Sequence, residues 1–181
     1  RRPVTNRLHP GLTTPAATVP LYSEFVSLEE TVHMGVIATI EIGADDFALG
    51  SALADGPDLR IRLERVVPVD GRPVPYLWAD TTRLDAIEAV FRDEADVASF
   101  SIVETTDEEA LLRVEWARRV ADFFELLSET DATLLEGVGN EGVWRLDLRF
   151  EHEDELTAFY WRCTDRGIDV AIDGVHGADA S

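Results

Sequence analysis

Lysine is absent from this sequence: all 16 basic residues are arginine. Cysteine is nearly absent too, and the single Cys163 excludes an internal disulfide. No stretch approaches the roughly 18 consecutive apolar residues of a membrane-spanning helix. The N-terminus lacks the charged-then-apolar pattern of a secretory signal. These absences make a cytoplasmic address without membrane contact the expectation. Histidine is scarce, and His9, His33, His152 and His176 show no ligand spacing with cysteine or aspartate. No metal or other cofactor is expected.

What the chain has in excess is carboxylate. Acidic residues outnumber basic ones 36 to 16, a formal net charge of −20. In dilute buffer such a chain repels itself, whereas in molar salt the Debye length falls to about 3 Å and the repulsion is screened. Together with the missing lysine, this points to a protein of a halophile that keeps high internal salt. The same charge bears on partners. Gripping DNA requires clustered Arg or Lys to displace counterions from phosphates, and here arginines are scattered among acids, as in "RIRLERV" and "WARRVADFFE".

Residues 1–33 differ from the rest. Pro3, Pro10, Pro15 and Pro20 interrupt a segment without period, so a flexible arm or flanking piece is expected, with one short helical turn near "YSEFVSLEE". From Gly35 the pattern is regular. "VIATIEI" reads as a strand and "ADDFALGSALAD" as a short helix. "LRIRLERVV" and "PVPYLWA" flank the turn Asp70-Gly71, Leu84, Ile87, Val90 and Phe91 have helical spacing, and "VASFSIV" is another strand. The order then repeats through "ALLRVEW", the stripe Val120, Phe123, Phe124 and Leu127, "ATLLEGV", "VWRLDLRF", the stripe Leu156, Phe159, Tyr160 and Cys163, and "DVAIDGV".

At an offset of 72, Leu63-Glu64 falls on Leu135-Glu136, and Val74, Tyr76 and Trp78 fall on Leu146, Leu148 and Phe150. Leu84 and Ile87 fall on Leu156 and Phe159, and Ala98 and Phe100 on Val170 and Ile172. The expected fold is α+β: two tandem ferredoxin-like βαββαβ units packed together, with helices on one sheet face, preceded by the flexible arm. The units span 34–104 and 105–176, and 177–181 is a tail.

"LERVVPVDGRPVPYLW" is then the central hairpin of the first unit. Pro73 and Pro75 cannot donate ladder hydrogen bonds and belong on its outer edge or beside a bulge. A ligand or partner contact would draw on Arg65, Arg72, Tyr76, Trp78, Trp144 and Trp161. Taken singly, the arginines read as solvated or paired with acids, and the tryptophans, Trp116 among them, as partly buried packing. Cys163 completes a helical stripe and reads as a core thiol. His152 lies eleven residues from it, roughly 16 Å along a helix, too far for a dyad. Gly137, Gly139 and Gly142 miss the nucleotide-loop spacing and read as turn residues. Acid pairs such as Asp45-Asp46 read as solvated surface. No catalytic constellation is present, and a non-enzymatic role is expected.

"FALGSAL", "LRIRLERVVPVDGRPVPYLW", "RVEW", "LLEGVGNEGVWRLDLRF" and "LTAFYWRCTDRGI", in that order, resemble the bacterio-opsin activator-type regulators of halophilic archaea from Gly35 to Val175. The resemblance implies a regulatory domain of a transcription regulator. In that family the domain typically precedes a C-terminal helix-turn-helix and often follows PAS or GAF sensor domains. No helix-turn-helix follows "GVHGADAS" here, so DNA contact is expected only through such a segment outside this chain. A protein partner or a second copy is the expected direct contact. The alternatives are a small-molecule-sensing module, or a stand-alone interaction regulator that does not bind DNA.

Overall fold

In the computed structural model of the protein, residues 35–55, 58–69, 72–80 and 82–178 are described, with 55, 65–69 and 72–74 described by backbone alone. The expected N-terminal arm, the Asp70-Gly71 turn and most of the tail lie outside the described residues.

Among the described residues, eight strands and four α-helices follow in chain order. They are β1 (Val36–Gly43), α1 (Gly50–Asp55), β2 (Arg60–Val69), β3 (Arg72–Asp80), α2 (Ile87–Asp93) and β4 (Val97–Thr105), then β5 (Glu109–Trp116), α3 (Arg118–Glu129), β6 (Thr133–Asn140), β7 (Val143–Phe150), α4 (Glu153–Asp165) and β8 (Val170–Gly177). The strands form one antiparallel sheet in the order β4-β5-β3-β2-β6-β7-β1-β8. Alternation decides the faces, since successive strand side chains point to opposite sides. Ala38, Ile40 and Ile42 of β1, Leu112 and Val114 of β5, and Trp144, Leu146, Leu148 and Phe150 of β7 are all buried. They share a core with Phe91, Val120, Phe123, Phe124, Leu156, Phe159 and Cys163 from the helices. The alternate positions, such as Glu41, Arg62, Arg113, Arg145 and Asp147, lie on the helix-free face.

The strand pairing does not close two sequential units on themselves. β1 pairs with β7 and β8, while β5 pairs with β3 and β4. The short link between β4 and β5 explains part of this. Only residues 106–108 separate the two strands, and the turn is closed by the Thr106 amide donating to the Glu109 carbonyl at 2.8 Å. So short a link permits only an antiparallel neighbour, because a move to another sheet position needs a longer crossover. Residues 104 and 105 therefore lie at the end of β4, next to its hairpin turn.

The face assignment of one hairpin also differs from the offset of 72. Tyr76 and Trp78, matched by that offset to the buried Leu148 and Phe150, point to the helix-free face and are half-buried. Leu77 and Ala79 fill the core instead. A one-residue slip reverses every side chain in a strand, and the bulge in β2 between Leu63 and Val66 is where β3's partner changes register. β3 pairs with β5 only from Tyr76 to Asp80. Pro73 and Pro75 therefore sit beyond that ladder and next to the bulge, where a missing N–H costs least.

Two further local differences have clear causes. The segment "ADDFALGSALAD" forms a 3-10 turn at Ala44–Asp46 and the separate helix α1. Between them Phe47, Ala48 and Leu49 are drawn into the core, with Leu49 at φ 56. Gly137 and Gly139 lie within β6 rather than in its turn. A Cβ at Gly139 would come within 2.8 Å of both Leu53 and Trp144, so this glycine makes room for the indole. The turn itself uses Glu141 and Gly142, at φ 51 and 78, the two positive values a type I′ hairpin needs.

Candidate functional site

Of the six candidate contact residues, the four with described side chains fall in three separate places. Trp144 is fully buried: its indole N–H donates to the Ala48 carbonyl at 2.8 Å, and Phe47 stacks edge-on with ring centroids 5.4 Å apart. It faces no groove, and its polar atom is already used inside the core. Tyr76 and Trp78 stand two residues apart on the helix-free face, where the Trp78 indole N–H donates to the Glu64 carboxylate at 2.6 Å. Trp161 lies far from them in the fold, on α4, where it is 59% exposed and set edge-on to Tyr160 with centroids 5.8 Å apart. Arg65 and Arg72 fall in β2 and β3, and their side chains are outside the described residues.

The helix-free face carries a concavity that no single segment announces. A groove of about 410 Å³ is lined by Glu41, Arg60, Glu136, Val138, Arg145 and Asp147 together with the β6–β7 turn. β1, β2, β6 and β7 supply these residues from their outward positions. Arg145 Nη2 donates to Glu41 at 2.5 Å and lies 3.8 Å from Asp173. The hydrogen bond that Arg145 donates to Glu41, reinforced by the surrounding carboxylates, holds its guanidinium above the usual pKa. Thr39 donates to Asp147 at 2.7 Å. Arg60 lines the groove with no ion-pair partner among the described residues. Further along the same face Arg62 reaches past β3 to pair with Glu109 of β5.

This is a surface of mixed charge, in which acids outnumber the two arginines. It can hold a polar ligand carrying both signs, or a charged partner segment. Among the described residues, no cluster of three or more His, Cys, Asp or Glu could hold a metal ion. No helix among them is long and apolar enough to cross a membrane. The outward residues of the groove are visible in the sequence as polar positions in alternating strands. Their convergence depends on β1 lying beside β7, a pairing of residues 100 or more positions apart, which local pattern does not encode.

Residues 36–179 match a family model described as BAT: GAF and HTH_10 associated domain. A search of curated proteins finds no match to the chain.

Proposed function

The chain belongs to the BAT family, the GAF- and HTH_10-associated domains linked to the bacterio-opsin activator, and from that premise we propose that it is a non-enzymatic regulatory domain of a haloarchaeal transcription regulator. It couples a signal, or a contact between copies, to the placement of a DNA-binding domain outside this chain, and it works in the cytoplasm. The observation that carries this reading is the family match, which spans nearly the whole described fold. The charge balance agrees with it, because a chain of net charge −20 without lysine is a poor ligand for phosphates and leaves DNA contact to another segment.

The architecture behind this role is two ferredoxin-like halves that exchange their first strands. The order β4-β5-β3-β2 is that of a ferredoxin-like sheet with β5 in the place of β1, and β6-β7-β1-β8 has β1 in the place of β5. Each half is thereby completed by the other, and neither can move without disturbing the strand it holds.

The test is transcriptional. The gene is read beyond the codon for Ser181, and an HTH_10 segment encoded in frame, or retained by the chain at high KCl, is assayed on its operator with and without residues 35–178. Loss of the signal dependence on deletion supports coupling. An unchanged response overturns it.

A second reading, small-molecule sensing, is favoured by the groove around Arg60 and Arg145. A thermal-shift screen of zwitterionic and anionic metabolites at high salt tests it, with Arg60→Ala expected to abolish any shift. A shift that survives Arg60→Ala places the ligand elsewhere.

A further inference from the structure

Among the described residues, β4 is an edge strand of the sheet, with β5 as its one neighbour. Most of it is exposed, and Ile102 and Val103 remain 37% and 55% accessible although both are apolar. Residues 97–103 read "VASFSIV" and carry no charge, in a chain where 29% of residues are charged. An uncharged, exposed edge offers unpaired backbone donors and acceptors to another strand. It is also the surface on which two copies, each of net charge −20, meet with least repulsion.

The sequence of this edge has the same character read in either direction. Antiparallel pairing of two copies about Phe100 sets Val97 of one copy against Val103 of the other, Ala98 against Ile102, Ser99 against Ser101, and Phe100 against itself. Apolar meets apolar and hydroxyl meets hydroxyl at every step, the pairings that stabilise antiparallel ladders. A two-fold contact requires this self-complementarity, and a foreign strand does not. The opposite edge, β8, reads "VAIDGVHG", with a charge and two glycines, and lacks the symmetry.

We propose that β4 is a self-association surface, on which a second copy of this chain pairs antiparallel about Phe100 and continues the eight-stranded sheet across a two-fold axis. The register of β4 against β5 shifts between Val97 and Ser99 and again between Ile102 and Glu104. The regular stretch is therefore Ser99–Ile102, and the contact is short, weak and concentration-dependent. This deepens the coupling reading by naming the contact between copies, and the two are tested by different measurements.

Sedimentation equilibrium of the 181-residue chain at high KCl is expected to give a reversible monomer–dimer equilibrium. Ser101→Glu is expected to raise the dissociation constant about tenfold or more. Ser101 is exposed and lies opposite Arg113 of β5, so the fold accommodates a carboxylate there, which an unchanged circular dichroism spectrum verifies. Val175→Glu on β8 is expected to leave the dimer intact. Mixing Ser101→Glu chains with Ser99→Arg chains restores association, because the register sets 101 against 99. A chain that stays monomeric throughout, a dimer indifferent to Ser101→Glu, equal weakening by Val175→Glu, or a mixture without rescue each overturns the proposal. None of these outcomes touches the transcriptional test of coupling.

Discussion

The indole N–H of Trp144 reaches across 96 residues of sequence to the backbone carbonyl of Ala48, 2.8 Å away. This bond fixes the irregular segment Phe47–Leu49 against β7 and joins the two sequence repeats inside the core. Trp144→Phe keeps most of the ring but leaves the Ala48 carbonyl buried without its donor, which costs about 1–3 kcal/mol. Trp116 is the comparison, since its buried Nε1 has no hydrogen-bond partner among the described residues. Trp116→Phe removes an unsatisfied donor, and its expected cost is under about 1 kcal/mol. Denaturant titrations at fixed high salt give both numbers, and equal losses would show that the Trp144 bond contributes nothing beyond ring packing.

Gly139 and Gly137 are both too close to neighbouring side chains for a Cβ, but the neighbours differ. At Gly139 the added carbon would lie 2.8 Å from Leu53 and from the Trp144 ring, which its hydrogen bond holds in place. At Gly137 the contacts are the ends of Leu63 and Leu146, at 2.8 and 2.9 Å, and leucine ends can rotate away. Gly139→Ala is expected to cost about 1–3 kcal/mol, with Gly137→Ala costing less. The order of the two midpoints in urea is the check, and the reverse order would mean that the indole is free to shift.

Salt dependence follows from charge. Debye screening falls from about 10 Å at 0.1 M to about 3 Å at 1 M salt, so the thermal midpoint of a chain with net charge −20 is expected to rise through that range. Asp107 and Glu108 sit exposed in the β4–β5 turn, and Asp107→Asn with Glu108→Gln is expected to raise the midpoint in low salt and leave it unchanged in molar KCl. A midpoint that falls with KCl would contradict the halophilic reading.

Element identity was legible wherever a period ran long. The alternation in "VIATIEI" and "ALLRVEW" and the stripe from Val120 to Leu127 gave β1, β5 and α3, and the offset of 72 correctly matched Ile87 to Phe159 on the buried faces of α2 and α4. Strand partnership was less accessible. The three-residue link after Thr105 was a local signal that β4 and β5 pair, yet the repeat pattern favoured a boundary there. Bulges limited the rest. Slippage in β2 and β6 keeps the apolar residues similar while changing which of them face inward, so Leu63 is buried and its counterpart Leu135 is 43% exposed. The groove was hidden for a related reason, since its residues are outward positions of strands whose adjacency is set only by the completed sheet.

Cys163 gives the clearest dependence on pH. It is fully buried among the residues of α4 that face the core, and burial pushes its thiol from the ordinary 9.0 up to about 12, against a smaller opposite pull from Arg166. A rise of that size lowers the native thiolate population about 1,000-fold at neutral pH. Alkylation is therefore expected to proceed through unfolding and to accelerate with denaturant. Because the folded pKa lies above the unfolded one, the preference for the neutral thiol stabilises the fold fully below about pH 9 and is lost as pH rises toward about 12. Cys163→Ala removes that dependence, so the stability gap between parent and variant is expected to narrow over this interval. Urea unfolding at a series of alkaline pH values measures the gap, and a constant gap, or native-state labelling that titrates near pH 9, would place the thiol in contact with solvent.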